Sequence, residues 1–367
     1  MSKRLAMRMA IPVAMLVFLL FQAPSAFACG GLIAPDGDVR LGRAATLVAW
    51  HNGVEHYLTS FSYQGSASDV GWIVPLPAVP DKIEDGGAWT LQRLERETHP
   101  QRVEFDAPKA TSAGSAQVLQ DVQIEALNVK VIKGSGKEII AWAVQNGFFL
   151  DEETHDHLMV YAQASPIFMA AKYDTHLAQQ RGQLAGDGVP LLITMKTAHP
   201  WVPLEVLALG ATQVEADLYF LSDIPLNISD LNARIGQSAV GSDIPGAAGL
   251  KLAFQEQVSA QLYHDLSTDR NMGWVWQKSW LTYLTLDAPS PQVTYDLSVN
   301  NAGVFHAVPF GTAPMSLLAQ QNGQALPSWI PTFPMNTPQW AEGILVIALL
   351  AFVIGFLVKR VRRLTRV

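Results

Sequence analysis

Cysteine is almost absent from this sequence: Cys29 is the only one in 367 residues. A single cysteine excludes an intramolecular disulfide, so the fold has to be stabilised by its apolar core. The sequence also contains no H-E-x-x-H run, no EF-hand loop and no repeat of fixed period. It therefore lacks the signatures of zinc metalloproteases, EF-hand calcium sites and repeat architectures.

Positive charge is scarce in the part of the chain that folds in water. Eight of the 25 Lys and Arg residues lie in the first 28 and the last nine residues, whereas all 32 Asp and Glu residues lie between positions 29 and 358. That segment therefore carries 17 basic residues and a net charge of −15. Such an acidic surface repels phosphate backbones, so we expect no nucleic-acid partner.

The N-terminus has the features of a secretory signal. Lys3, Arg4 and Arg8 precede an apolar stretch at residues 10–21, and A-F-A at residues 26–28 matches the small-residue cleavage pattern. The apolar stretch is shorter than the roughly 20 residues that a transmembrane helix needs. We therefore predict a signal peptide over residues 1–28 that is cleaved after Ala28.

The C-terminus predicts one transmembrane helix. Residues 340–358 read WAEGILVIALLAFVIGFLV, enough for a helix of about 28 Å. Five Lys and Arg residues follow within 359–367, and such a basic tail stays cytoplasmic. We expect a single-pass protein of the cell membrane, held there through residues 344–358, with its N-terminal domain outside and its C-terminus cytoplasmic. Proline-rich residues 309–339 are predicted to form an extended stalk.

Cys29 stands directly after the predicted cleavage site, and four interpretations of it remain open. Cleavage after Ala28 would make Cys29 the new N-terminus, where a thiolate beside a free α-amino group is the arrangement of an N-terminal-nucleophile amidohydrolase. Lipidation is the second interpretation, although Ala26 stands where a lipoprotein signal carries Leu, Val or Ile. The other two are an intermolecular disulfide and an inert thiol.

Residues 45–63 predict a β-hairpin. Asn52 and Gly53 supply the two positive-φ positions of a type I′ turn between β-branched and aromatic residues. Pairing outward from this turn places one set of side chains on each face: Trp50, Tyr57, Phe61 and Tyr63 on the first, and Leu47, Ala49, His51, Val54, His56 and Leu58 on the second. His51 and His56 are then diagonal neighbours and candidate metal ligands, although no third ligand is identifiable.

The rest of the body mixes predicted strands and helices. Strands are predicted at 70–77, 122–132, 191–196, 204–209 and 215–221, with a final strand pair at 281–286 and 293–299. Helices are predicted at 88–97, 137–146, 151–164 and 250–265, while 167–173 fits either type. The predicted fold is α+β, mostly antiparallel sheet with three or four helices, in one extracytoplasmic domain over residues 29–308, followed by the C-terminal transmembrane helix.

Several runs, in this order along the chain, resemble a known bacterial family. They are A-C-G-G at 28–31, G-W-I-V-P-L-P at 71–77, the runs of the predicted helix pair from I-I-A-W-A-V-Q-N-G-F-F-L at 139–150 through L-M-V-Y-A-Q-A-S-P-I-F-M-A-A-K at 158–172, and P-L-L-I-T-M-K-T-A-H-P-W-V-P-L-E-V at 190–206. Together they are similar to the domain of unknown function 2330 family over most of residues 29–300. The resemblance implies an exported bacterial protein, often anchored at its C-terminus, with no assigned activity.

The same resemblance implies a strand at 167–173, which periodicity leaves ambiguous. It also differs from this chain at one point, because the family pattern has further cysteines soon after the first. Here G-G-L-I-A-P follows Cys29, so a local disulfide is not implied.

Two further groups of residues are candidate sites. His155 and His157 form an H-x-H pair, which would point one way in a strand, as a shared metal requires, but about 200° apart in the predicted helix. Four tryptophans are candidates for an aromatic platform that binds carbohydrate or peptide, although large aromatics more often fill a core. They are Trp201, Trp274, Trp276 and Trp280.

These observations favour a binding function. We expect a membrane-anchored extracytoplasmic module that binds an envelope protein or polymer, or organises the envelope, without a cofactor. The alternative is an extracytoplasmic hydrolase with Cys29 as its candidate catalytic residue. A pocket that holds convergent polar groups would favour the hydrolase, whereas an exposed aromatic patch without such a pocket would favour binding.

Overall fold

The structure, a computed structural model, describes residues 32–33, 39–65, 69–99, 121–124, 126–148, 150–165, 167–180 and 188–310. All of them lie in the first of the two units into which the chain divides, Met1–Leu326. The predicted signal peptide, Cys29, nearly all of the predicted stalk, the predicted transmembrane helix and the basic tail lie outside the described residues.

Fifteen strands and six α-helices make up the described part of the chain. The strands are β1 (Leu32–Ile33), β2 (Val39–His51), β3 (Val54–Gly65), β4 (Asp69–Pro75), β5 (Pro80–Asp85), β6 (Asp121–Ile124), β7 (Leu127–Lys133), β8 (Ile167–Asp174), β9 (Leu191–Lys196), β10 (Trp201–Val202), β11 (Gln213–Ser222), β12 (Leu250–Gln257), β13 (Trp280–Pro289), β14 (Tyr295–Val299) and β15 (Phe305–Pro309). The helices are α1 (Thr90–Thr98), α2 (Gly136–Gln145), α3 (Glu152–Ala164), α4 (Thr175–Gln180), α5 (Asp230–Ile235) and α6 (Ala260–Ser267).

The strands form three sheets. The largest has seven strands in the order β12-β13-β11-β2-β3-β9-β5, the second has five in the order β1-β4-β8-β7-β6, and the third has three in the order β10-β14-β15. Every neighbouring pair is antiparallel except β11 and β2, which run parallel. The predicted α+β class with mostly antiparallel sheet is confirmed.

Both faces of the seven-stranded sheet are buried in apolar layers. One face packs against the five-stranded and three-stranded sheets. The opposite face is covered by α1, α6 and residues 268–279, which contribute core side chains such as Leu94, Leu262 and Met272. Helices α2 and α3 pack on the outer side of the five-stranded sheet, where Ile73 and Phe168 meet them.

The predicted hairpin is confirmed with its predicted register. Strands β2 and β3 pair His51 with Val54 and Val48 with Tyr57, which leaves a two-residue turn. Asn52 and Gly53 have φ values of 52° and 79°, as a type I′ turn requires. Each predicted face lies against a different core layer, so the alternation along the hairpin sets which side chains each layer receives.

The predicted helix at 250–265 is wrong in its first half. Leu250 and Leu252 are buried and Lys251 between them is exposed, which is the alternation of strand β12. A bulge after Leu252 interrupts that alternation, so the sequence pattern resembles a helix. The helix α6 begins only after Ser259, whose hydroxyl accepts a hydrogen bond from the Leu262 N–H at 3.1 Å.

The predicted strand at 204–209 is also wrong, because this segment forms a 3-10 turn over Glu205–Leu207. The backbone N–H groups of Leu204 and Glu205 donate to the carboxylate of Asp296, at 2.9 and 3.3 Å, and are therefore not available to a strand ladder.

Three other details of the prediction change. The strand predicted at 122–132 is the β6–β7 hairpin, in which Ile124 faces Leu127. The two strands predicted as a final pair lie in different sheets, because a 3-10 turn over Ser290–Gln292 separates them and β14 pairs with β10 and β15. The described residues contain six helices instead of three or four, since α4 and α5, of six residues each, are too short to show a helical repeat in the sequence. The strand that the family resemblance implied at 167–173 is confirmed as β8.

Candidate functional site

Two groups of candidate residues come together on the sheet face that α1 and α6 cover. The rings of His51 and Trp276 stack with centroids 4.6 Å apart and an interplanar angle of 23°. The rings of His56 and Trp274 stack at 3.9 Å and 3°. All four residues are partly exposed. We call these four residues the indole–imidazole surface, and it combines the predicted histidine pair with two of the predicted platform tryptophans.

The segment that carries the two indoles is fixed at its start by a buried carboxylate. Asp269 accepts hydrogen bonds from the Trp89 N–H at 3.0 Å and from the Thr90 hydroxyl at 2.7 Å, at the beginning of α1. The next residue, Arg270, donates to the Asp85 carboxylate at 2.7 Å. These bonds join residues 268–279 to α1 and β5, so the indoles are held by elements distant in sequence.

The same segment is fixed along its length by its own apolar side chains and backbone. Met272 and Val275 are buried in the core against the sheet. Asn271 and Lys278, one on each side of the tryptophans, have positive φ values of 57° and 66°. Asn adopts this left-handed conformation readily, but it is unfavourable for Lys278, so the surrounding contacts must impose it there.

The two histidines differ in their electrostatic surroundings. The Nδ1 atom of His51 lies 2.7 Å from the Asp223 carboxylate, and its Nε2 atom lies 2.7 Å from the Asn52 amide nitrogen. His56 is more enclosed and lies 3.2 Å from the Thr194 hydroxyl. Burial lowers the pKa of His56 to about 4, so this imidazole is neutral at physiological pH. Asp223 and Asn52 border His51 at the edge of the surface, and we call this edge the rim. It offers both donors and acceptors of hydrogen bonds.

Two exposed lysines are near the indole–imidazole surface, Lys196 in the strand register and Lys278 in the sequence. Strand register places Lys196 next to Val54 and on the same sheet face as His51. Its side chain is 78 % exposed and lies 3.6 Å from the Asp81 carboxylate. Lys278 is exposed, follows Trp276 by two residues and forms no ion pair with any residue that the structure describes.

The other two tryptophan candidates lie elsewhere. Trp201 is 1 % exposed and belongs to the core between α2, α3 and the three-stranded sheet. Trp280 precedes Leu281, which faces the same layer as α6, so Trp280 points to the opposite side of the seven-stranded sheet. The structure therefore brings together only Trp274 and Trp276 of the four.

The H-x-H pair is split by helix α3, in agreement with the helical geometry. His155 is exposed and lies beside Asp156. The Nε2 atom of His157 contacts the buried Glu205 carboxylate at 2.5 Å, and its Nδ1 atom lies 2.7 Å from the Glu153 carbonyl oxygen. Burial lowers the pKa of His157, but the contact with Glu205 outweighs that effect and raises the pKa to about 9.

Sequence reasoning missed a group of buried polar residues around the connection from β9 to the 3-10 turn. Glu55 accepts from the Thr197 hydroxyl at 2.8 Å, and Asp296 accepts from the Tyr161 hydroxyl at 2.7 Å. Burial raises the pKa of both carboxyl groups to about 8. We call this group the buried polar centre. Five of its residues each have a buried polar atom that forms no hydrogen bond with any described residue: Glu55, His199, Trp201, Glu205 and Asp296.

One signal in the sequence points to this centre. Asp296 interrupts the apolar alternation of Y-D-L-S-V in β14, where all five residues are buried. An acid in a strand that is buried on both faces must find internal partners. Because Glu55 and Asp296 are 0 % exposed, the centre holds the connection in place and offers no reactive atom to a substrate.

Two pockets of different shape lie in the described part of the chain. The more enclosed of the two has a volume of about 20 Å³, room for a single water, and lies between the sheets beside Tyr57, Phe61 and Trp72. A second depression of about 500 Å³ is widely open to solvent along the glycine-rich loop 243–249. Among the described residues, no three His, Cys, Asp or Glu side chains are grouped so that they could bind a metal ion.

None of the helices in the described ranges is long and apolar enough to span a bilayer. The predicted span at 340–358 lies outside those ranges.

Comparison with known proteins gives one family match. The family described as "Uncharacterized protein conserved in bacteria (DUF2330)" matches residues 23–250. No curated protein matches the chain at a significant level. Among solved structures, the crystal structure of baculovirus P35 is similar at 8 % sequence identity and a TM-score of 0.35, over 74 % of this chain and 92 % of that one. At that TM-score the similarity supports no functional conclusion.

Proposed function

Because the chain belongs to the DUF2330 family, whose description assigns no activity, we infer its function from the site itself and propose that it is a binding module of the bacterial envelope. Its recognition surface is the indole–imidazole surface. The proposed location is the outer side of the cell membrane, with residues 340–358 as the anchor.

The observation that carries this proposal is the partly exposed position of two stacked indole–imidazole pairs on a rigid support. Aromatic side chains bury a large area with little loss of conformational entropy, and they dominate many binding surfaces. Here the supporting segment is fixed by Asp269 and by the buried Met272 and Val275, so the surface is pre-organised.

The alternative, a hydrolase, has less support in the described part of the chain. The two carboxyl groups whose pKa is raised to about 8, Glu55 and Asp296, are fully buried and closed to a substrate. The more enclosed of the two pockets described above is far smaller than the roughly 300 Å³ of a small-molecule site. Cys29, the candidate nucleophile, lies outside the described residues.

Co-sedimentation with cell envelopes tests this proposal. Full-length protein in detergent is mixed with the insoluble envelope fraction of the source bacterium, prepared without protease so that polymers and proteins are both retained. We expect the wild type to sediment and the His51→Ala/Trp276→Ala double variant to lose most of that binding, about tenfold or more.

The matched control is Trp280→Ala, which removes an indole of similar exposure from the opposite sheet face. It should sediment like the wild type, and circular dichroism should show all three proteins folded. Equal sedimentation of the double variant and the wild type, or none by either, would overturn the proposal.

A further inference from the structure

We infer that the ligand of the indole–imidazole surface is an uncharged glycan. This inference rests on the proposed binding function and adds the chemical class of the ligand. It follows from three properties of the surface: its position within the sheet, the hydrogen-bonding groups at its rim, and the charge of the whole domain.

The position of the surface disfavours an extended peptide. His51 and His56 belong to β2 and β3, which are interior strands of the seven-stranded sheet with partners on both sides. Peptides that add to a sheet need a free strand edge, because main-chain hydrogen bonds supply their affinity. A ligand at this surface has to be recognised by side chains alone.

The rim suits hydroxyl groups, which donate and accept at the same time. The Asp223 side chain is 46 % exposed and supplies carboxylate acceptors beside His51. Asn52, Lys196 and Lys278 are exposed and supply donors. A sugar ring presents an apolar face of C–H groups and a polar edge of hydroxyls, so it can contact ring systems and this mixed rim together.

The net charge of the domain favours an uncharged glycan over an acidic one as the ligand. Between residues 29 and 358 the chain carries 17 basic and 32 acidic residues, and this net charge of −15 repels a polyanion. At the surface itself, the carboxylates of Asp223 and Asp81 balance the charges of Lys196 and Lys278. An uncharged glycan is not repelled by the protein, and it can still form hydrogen bonds with the charged side chains at the surface.

Titration with defined oligosaccharides tests the inference. Full-length protein is kept in a detergent without a sugar headgroup, and chitotetraose is added while saturation-transfer NMR and indole fluorescence are followed. We expect binding with a Kd in the millimolar range or tighter. Trp276→Ala should weaken it about tenfold, the effect of one lost aromatic contact, whereas Trp280→Ala should leave it unchanged.

Two comparison probes separate the ligand classes: tetragalacturonate for an acidic glycan, and the capped peptide acetyl-Gly-Phe-Leu-Gly-amide for a peptide. Tighter binding of either one than of chitotetraose overturns the inference. Absence of chitotetraose binding, while envelope co-sedimentation still depends on Trp276, overturns the ligand class and leaves the binding function standing. Loss of both signals overturns both.

Discussion

Glu55 and Asp296 hold the two ends of one connection in the fold. Glu55 binds the hydroxyl of Thr197, and Asp296 binds the backbone of Leu204 and Glu205 at the 3-10 turn. Both carboxyl groups are removed from water, so their ionised forms are disfavoured in the folded state. The stability of the connection between β9 and the 3-10 turn should therefore depend on pH.

For Glu55 the sign of that dependence follows from its pKa of about 8 in the folded chain, against an ordinary value of 4.5. Between these values the folded state binds more protons than the unfolded state, so stability falls as pH rises from about 4.5 to 8. The glutamine of the Glu55→Gln variant cannot ionise. Between pH 5 and pH 9 we expect the free energy of unfolding of this variant to fall by about a few kcal/mol less than that of the wild type. Urea denaturation at the two pH values measures this.

The control for that prediction is Glu256→Gln, which changes an exposed acid of β12. It should show the same pH dependence as the wild type. Residual dependence in Glu55→Gln is expected from Asp296, whose pKa is also raised to about 8. A wild type equally stable at pH 5 and pH 9 would show that these carboxyl groups are not desolvated.

The two histidines of the H-x-H pair allow a direct comparison on one helix. Removing His157 leaves the buried Glu205 carboxylate without its cationic partner, so His157→Ala should destabilise the protein by about 2–3 kcal/mol at pH 7. His155 is exposed, and His155→Ala should change stability by less than about 0.5 kcal/mol. Denaturant unfolding of both variants measures the two losses of stability. Equal losses would show that the ion pair between His157 and Glu205 does not stabilise the fold.

The pH dependence of this pair has its own sign. The pKa of His157 is raised to about 9, above its ordinary 6.5, so the contribution of the ion pair is complete below pH 6.5 and is lost as pH rises through 9. The difference between wild type and His157→Ala should therefore shrink at pH 10.

Residues near each other in sequence could be placed from the sequence, and their distant partners could not. The turn at Asn52 and Gly53 fixes the hairpin register, which correctly put His51 and His56 on one face. Their stacking partners Trp276 and Trp274 lie more than 200 positions away, and no local pattern encodes that contact. For the same reason the partners of Asp296 on α3 could not be inferred.

At the scale of elements, residues 268–279 act as a fixed support for the indoles. Asp269 is 6 % exposed and accepts hydrogen bonds from Trp89 and Thr90, so it ties this segment to α1. The Asp269→Ala variant should lose about 2–3 kcal/mol of stability, because the N–H of Trp89 and the hydroxyl of Thr90 lose their partner. It should also raise quenching of indole fluorescence by acrylamide, since Trp274 and Trp276 are held less firmly.

The matched control for the support is Asp243→Ala, whose carboxylate is 79 % exposed and lies 3.9 Å from Lys251. We expect it to leave stability and quenching near the wild-type values. If Asp269→Ala behaves in the same way, the segment is held by its apolar side chains alone.

Element prediction succeeded where one face of a regular element is buried and failed at irregular points. Helix α3 was found because Asp151 caps its first turn at 2.7 Å from the Thr154 N–H. Strand β12 was mistaken for helix because its bulge after Leu252 shifts the buried positions. The turn over Glu205–Leu207 was mistaken for strand because its backbone partner, Asp296, comes from a distant strand.

At the scale of the whole molecule, the proposed location makes a prediction about topology. If the domain lies outside and residues 359–367 lie in the cytoplasm, protease added to intact spheroplasts should digest the domain and spare a tag placed after Val367. Lysed spheroplasts provide the control, in which the tag is cut as well. A domain protected in intact spheroplasts would reverse the proposed orientation.

The most direct test of the binding proposal is contact in the living envelope. A photo-crosslinking amino acid at position 277, next to Trp276 on the indole–imidazole surface, should give a discrete crosslinked product in intact cells. The same amino acid at position 144, an exposed site on α2 where Val144 is 60 % exposed, should not. The product at 277 should disappear when His51 is also replaced by alanine. Equal crosslinking from both positions, or none from 277, would contradict the assignment of this surface as the recognition site.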